Sequence, residues 1–183
     1  MISTNDLLSI LPLLILSGWG MVLILVDLVV PKERSALIGW LSMAGIVGAL
    51  AAEVALWGLD LSGFGGMVVL DGMSAFIGSV GLLATLLTVW VSLNYIRDRG
   101  IERGEYYALL LFSTSGILLM AQAANLIVVF LGLELLSIPL YILAGFARPQ
   151  VESEEAAIKY FLLGAFATGF LVYGIALVYG ATG

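Results

Sequence analysis

Long apolar runs, broken by short polar or glycine- and proline-bearing segments, set the pattern of this chain. A helix that crosses a bilayer needs ~20 mainly apolar residues. By that measure the pattern predicts six helices, over about 7–30, 36–58, 70–95, 105–120, 124–146 and 155–180. Pro31-Lys-Glu-Arg34 ends the first, and Asp60 through Gly66 separates the second from the third, which Asp71 or Ser74 can cap. Asn94 through Arg103 forms the next break, and Ala147 through Ser153 the last. Ala121-Gln-Ala-Ala-Asn125 is only mildly polar. A single helix across it would still run ~60 Å, twice a bilayer, so two passes are required. Asn125 then caps the second of them. The expected fold class is an all-α polytopic membrane protein, with residues 1–183 forming a single integral membrane domain.

The basic residues predict an orientation. Lys32 and Arg34 fall in the first loop, Arg97, Arg99 and Arg103 in the third, and Arg148 in the fifth. The amino terminus, the second and fourth loops and the carboxyl terminus hold none, and Lys159 lies inside the last helix. Cytoplasmic loops are enriched in Lys and Arg, so the odd loops are expected in the cytoplasm and both ends of the chain outside, in the periplasm. No Lys or Arg precedes the first apolar stretch, which therefore reads as a retained helix and not as a cleaved signal peptide.

Composition narrows the chemistry. At 62% hydrophobic and 11% charged residues in 183, the solvent for most side chains must be the lipid bilayer. The chain has no cysteine and no histidine, which removes disulfides, thiolate iron–sulfur ligation, histidine metal or haem sites and the usual nucleophilic hydrolysis. The net charge of −6 gives no nucleic-acid footprint. Any electron transfer must occur in partner subunits, and no cofactor is expected in this chain.

Several features read as packing. Trp19, Trp40, Trp57 and Trp90 are ordinary membrane aromatics, and Gly164/Thr168 and Ala165/Gly169 in the last helix allow close helix approach. Gly63-Phe-Gly-Gly66 lacks the lysine and strand context of a phosphate loop. Asp27 is expected to pair near the membrane boundary with Lys32 and Arg34. Glu53, near the end of the second helix, is expected to snorkel or to meet another subunit.

Glu134 stands apart. It stands nine residues on from Asn125, after an almost purely apolar run, which places it ~14 Å into the helix, near the middle of a ~30 Å hydrocarbon slab. A carboxyl there costs at least ~2.5 kcal/mol and marks a functional site unless it only bridges two helices. Helical spacing sets Ser137, Tyr141 and Arg148 on its face, a polar stripe that suits a half-channel open to the cytoplasm. Pro139 removes the N–H that would reach the carbonyl of Leu135, either freeing that carbonyl for water or a side chain or only kinking the helix. In the last helix Glu155 and Lys159 are spaced i, i+4 with the acid first, the favourable order. They form either a charge-paired helix entrance or part of a proton path. Lys159 is one of only two lysines in the chain.

Two stretches carry a resemblance. One is Phe130-Leu-Gly-Leu-Glu-Leu-Leu-Ser-Ile-Pro-Leu-Tyr-Ile-Leu-Ala144, and the other runs from Glu155-Ala-Ala-Ile-Lys-Tyr to Gly183. Both resemble the N subunit of bacterial NADH-quinone oxidoreductase, the proton-pumping respiratory complex I, within the antiporter-like family of membrane subunits. The match is most specific over residues 105–183. The resemblance implies roles residue by residue. Glu134 matches a glutamate implicated in proton translocation, Lys159 a lysine of the sixth helix, and Glu155 the acid one turn before it.

It also implies a non-redox subunit of a translocase in the bacterial inner membrane. Other membrane subunits are its partners, and NADH, FMN, iron–sulfur clusters and quinone are handled by them. The family continues with a broken seventh helix and a second repeat, so the chain looks like an amino-terminal fragment, inactive alone. A subunit of a sodium/proton antiporter or a membrane-bound hydrogenase, or a purely structural membrane subunit, remains the alternative reading. The implied mechanism is charge-coupled pumping, in which the fifth-helix glutamate exchanges its proton as a neighbouring lysine's charge approaches or withdraws. Each tenfold change in proton affinity is worth ~1.4 kcal/mol, comparable with ~2.3 kcal/mol for one charge moved against about 100 mV.

Overall fold

The computed structural model describes residues 3–30, 35–101, 103–148 and 150–182. Each expected span has its helix: α2 (Leu11–Val29), α3 (Ser35–Ala55), α4 (Gly72–Asp98), α5 (Glu105–Ala121), α6 (Leu126–Ala144) and α7 (Val151–Thr182). A short α1 (Thr4–Ser9) precedes them. Among the described residues five helices are long and apolar enough to cross a membrane. The sixth, α5, has 17 residues and rises about 25 Å.

Local chemistry explains where the helices begin. Ser3 and Asp6 form a capping box that starts α1, and the chain breaks at Ile10 just before Pro12 enters the first turn of α2. The first span therefore starts later than expected. Asp71 Oδ1 accepts the backbone N–H of Ser74 at 2.8 Å, and Ser74 Oγ accepts that of Asp71 at 2.8 Å, so the two expected caps of α4 act as a pair. The Asn125 side chain accepts from Ile127 at 2.8 Å and Val128 at 3.1 Å, starting α6 as expected. The pairing expected of Asp27 with Lys32 and Arg34 falls outside the described residues.

The break between α3 and α4 is more than a loop. Leu61–Gly63 (β1) pairs antiparallel with Val68–Leu70 (β2), with Leu61 opposite Leu70. Their turn needs three left-handed residues, Phe64 (φ 54), Gly65 (φ 67) and Gly66 (φ 86). Phe64 is the costly one, since a side chain in that region is disfavoured by ~1–2 kcal/mol. Asp6 Oδ1 holds it by accepting its N–H at 2.6 Å, which ties α1 to the hairpin. On the other side Val69 N–H donates to the Gln122 carbonyl at 2.8 Å and Ala124 N–H to the Met67 carbonyl at 2.9 Å. The hairpin thus joins α1 to the α5–α6 connection and marks one end of the bundle. Arg97, Arg99, Arg103 and Arg148 mark the other.

The helix α5 is the hub, packing on α2, α3, α4 and α6, and its Tyr107, Ala108, Leu111 and Leu118 are buried. Thr85 of α4 and Thr114 of α5 share a hydroxyl hydrogen bond of 2.7 Å inside the bundle. The α5–α6 contact is backbone on backbone. A Cβ on Gly116 would fall 2.3 Å from the Leu136 nitrogen, and one on Gly132 would fall 2.8 Å from the Met120 nitrogen. Small residues allow this approach. Trp19 is not a loose membrane aromatic: its indole N–H donates to the Leu41 carbonyl at 2.8 Å, and its ring lies against Gly45. The last helix packs on α6 and none of its residues is fully buried.

Candidate functional site

Glu134 sits mid-helix in α6, half-buried, on the side turned to α7. Its Oε1 accepts the hydroxyl proton of Thr168 at 2.8 Å. One turn on stands Ser137, also half-buried, and the next turn brings Tyr141. The Tyr141 ring lies on Gly164, where a Cβ would overlap the phenol, and meets the rings of Tyr160 and Phe161 edge-on at 4.8 and 5.8 Å. The α6–α7 seam therefore has an antiparallel register: Thr168 on Glu134, then Gly164 under Tyr141. Ser153 Oγ closes the seam by donating to the Ala144 carbonyl at 2.8 Å.

Beyond Tyr141 the stripe opens into a cavity of about 440 Å³ at the arginine end, lined among others by Tyr141, Gly145, Phe161, Arg103, Arg148 and Glu105. Arg148 reaches this cavity by a different route from the one helical spacing implies. The helix ends at Ala144, so Arg148 belongs to the connection and not to the face of Glu134. Pro139 is buried inside a helix that continues past it to Ala144.

Glu155 and Lys159 pair at 2.5 Å, with both side chains more than half exposed on the open side of α7. Lys159 lies nine residues, about 13 Å along the helix, from Thr168. The expected residues thus form two separate clusters: Glu134 with Thr168 on the α6–α7 seam, and Glu155 with Lys159 on the open side of α7. Of the two small-residue pairs in α7, Gly164/Thr168 faces α6, whereas Gly169 has nothing within 4 Å of where its Cβ would be.

Thr168 as the partner of Glu134 was not legible from spacing, since the two are far apart in sequence. Glu53 is a correction. It neither snorkels nor faces another subunit: it is fully buried, because α4 and α5 close over the last turn of α3. No group of three or more acids, histidines or cysteines able to hold a metal occurs among the described residues.

Residues 123–183, which carry the whole of this seam, match the family described as "NADH:quinone oxidoreductase/Mrp antiporter, TM". The chain is 52% identical over 169 residues to NADH-quinone oxidoreductase subunit N 2 of Roseiflexus castenholzii, covering 92% of this chain and 34% of that protein. It is 50% identical over 179 residues to NADH-quinone oxidoreductase subunit N of Chloroflexus aggregans, covering 97% of this chain and 37% of that protein. One chain in a solved structure of respiratory complex I from Thermus thermophilus with bound aureothin superimposes with a TM-score of 0.77. The two are 36% identical, and the match covers 93% of this chain and 37% of that one. The chain spans about a third of the length of the curated relatives it matches. Identity and superposition both extend across nearly all of it, and on those grounds it belongs to the antiporter-like membrane-subunit family that includes subunit N of NADH-quinone oxidoreductase.

Proposed function

We propose that this chain carries part of a proton path in a proton-translocating NADH-quinone oxidoreductase of the bacterial inner membrane. Redox chemistry belongs to partner subunits, which handle NADH, flavin, iron–sulfur clusters and quinone. The observation that carries the reading is the line from the Glu134 carboxyl along Ser137 and Tyr141 to the cavity at the arginine end. Positive residues collect on the cytoplasmic side of membrane proteins, so that cavity opens to the cytoplasm and the hairpin lies outside.

In this reading Glu134 is the group that binds and releases the proton, and the Thr168 hydroxyl orients its carboxylate. The hydroxyls of Ser137 and Tyr141 offer stepping points toward the cavity, where Arg103, Arg148 and Glu105 meet solvent. Lys159 supplies a positive charge on the open side of α7, held by Glu155 until a neighbouring subunit or helix draws it away. A cation within ~4–6 Å favours proton release from a carboxyl, and its withdrawal favours uptake. Lys159 rests about 13 Å along α7 from Thr168, so it acts on Glu134 in this way only when its charge moves toward the carboxyl.

The test is proton pumping per NADH oxidised in membrane vesicles, with assembly of the complex checked separately. Glu134→Ala and Glu134→Gln lower pumping by about a hundredfold, the contribution of a positioned acid–base group. Glu134→Asp keeps part of it, because the titratable group remains and only its reach shortens. Wild-type pumping in the Gln variant overturns the reading and leaves Glu134 as a helix bridge.

A further inference from the structure

Five buried side-chain polar atoms among the described residues have no hydrogen-bond partner, and all belong to Glu53, Ser79 and Gln122. Elsewhere in the bundle buried hydroxyls are satisfied, as between Thr85 and Thr114 or from Ser115 to the Leu111 carbonyl. Native interiors leave few such atoms, and each calls for an explanation, a functional role or a bound water among them.

Glu53 is fully buried in the last turn of α3. Its carboxyl occupies the place where a side chain on Gly78 of α4 would be: a Cβ there would lie 2.5 Å from Glu53 Oε1 and 2.9 Å from the Leu118 side chain of α5. The fold thus leaves out a side chain on α4 to make room for this acid. No cation answers it. Among the described residues the charged groups of the helices packed on α3 are Asp27 on α2, Arg97 and Asp98 on α4, and Glu105 on α5, all toward the arginine end. Asp71 caps α4 and is engaged with Ser74. An ionised carboxylate in such surroundings is costly, and a buried acid without a partner charge takes up a proton instead.

Gln122 stands one turn beyond Leu118 on the same face of α5, toward the hairpin, and is 2% exposed. Its carbonyl is pinned by Val69 of β2, while both atoms of its side-chain amide are unpartnered. An amide both donates and accepts, so it can hold a water molecule, and it is the water that carries a proton between the Glu53 carboxyl and the hairpin end. We infer that Glu53 is a second proton-binding site, a neutral carboxylic acid that exchanges its proton with the hairpin end of the bundle through water held by the Gln122 amide. It is independent of Glu134, which faces α7 from the far side of the Gly116–Gly132 contact.

Infrared spectroscopy of the assembled complex at neutral pH, before and after transfer to deuterium oxide, tests this. A carbonyl stretch of a protonated carboxylic acid is expected that shifts on deuteration, is lost in Glu53→Gln and persists in Glu134→Gln. Persistence in that last variant separates the inference from the Glu134 reading. Absence of the band in wild type shows an ionised group and overturns the inference, as does a band that never deuterates. Gln122→Leu is expected to keep the band and slow its deuteration about tenfold, the weight of one hydrogen bond to the carrying water. An unchanged rate in that variant overturns the route, and where Glu53→Gln does not assemble, Glu53→Asp, which shifts the band without removing it, assigns it; a band that does not move in Glu53→Asp overturns the inference.

Discussion

Thr168 and Glu134 meet across the α6–α7 seam through one hydroxyl-to-carboxylate hydrogen bond of 2.8 Å. A hydrogen bond of this kind is worth about 0.5–1.5 kcal/mol. Thr168→Val keeps the shape and removes the donor. In the assembled complex it is expected to lower proton pumping per NADH by about tenfold, less than the loss from Glu134→Gln. Thr168→Ser retains the hydroxyl and most of the pumping. Equal pumping in all three proteins shows that the bond orients nothing of consequence.

Lys159 and Glu155 form a second cluster, on the open side of α7. If the lysine's charge drives Glu134, Lys159→Met lowers coupled turnover by about tenfold with assembly intact, on the scale of one displaced charge. Lys159→Arg does less damage, because the charge survives. Glu155→Gln frees the lysine without removing it, and is expected to uncouple less than Lys159→Met. Normal pumping in the Met variant reduces the pair to a helix entrance.

The chain has no cysteine, so single substitutions can be labelled without background from it. Thr4 and Ser62 lie at the hairpin end, and Asp98 and Gln150 at the arginine end, all exposed. Cysteines at Asp98 and Gln150 are expected to react from the cytoplasm, and those at Thr4 and Ser62 from outside. The reverse pattern in sealed vesicles overturns the orientation.

Asp6 gives a pH prediction. Backbone N–H groups of Ser3 and then Phe64 hold its carboxyl below its ordinary value of 3.8. The folded value is the lower one, so the stabilisation is complete above the ordinary value and lost as pH falls through the folded value. Amide exchange in segment 61–70, corrected for its intrinsic pH dependence, should stay slow from neutral pH down to about pH 4. Asp6→Ala should speed it throughout that range. Rapid exchange in wild type at pH 5–6 contradicts the tether.

Much of this architecture was legible because it is local. Span lengths, the caps at Asp71, Ser74 and Asn125, and the Glu155–Lys159 pair all arise from residues within a turn or two of each other. The fate of Glu53 and the partner of Glu134 were not. A helix apolar on every side has no polar stripe to show which face looks inward, so sequence alone could not tell that Glu53 points into the bundle. Thr168 reaches Glu134 only through the antiparallel return of α7, a relation that no local spacing encodes. The hairpin escaped notice because its strands are three residues each, too short for an alternation to show.

The glycine contact between α5 and α6 has a mechanical consequence. With Gly116 and Gly132 leaving no room for even a methyl group, the two helices can neither slide nor roll without backbone collision. They behave as one stiff wall. The α6–α7 seam is built otherwise, from one hydroxyl, aromatic edges and a phenol resting on Gly164. Such contacts re-form after small displacements. Displacement of a helix at this seam is therefore expected on the α7 side, with α5 and α6 as the fixed wall against which it moves.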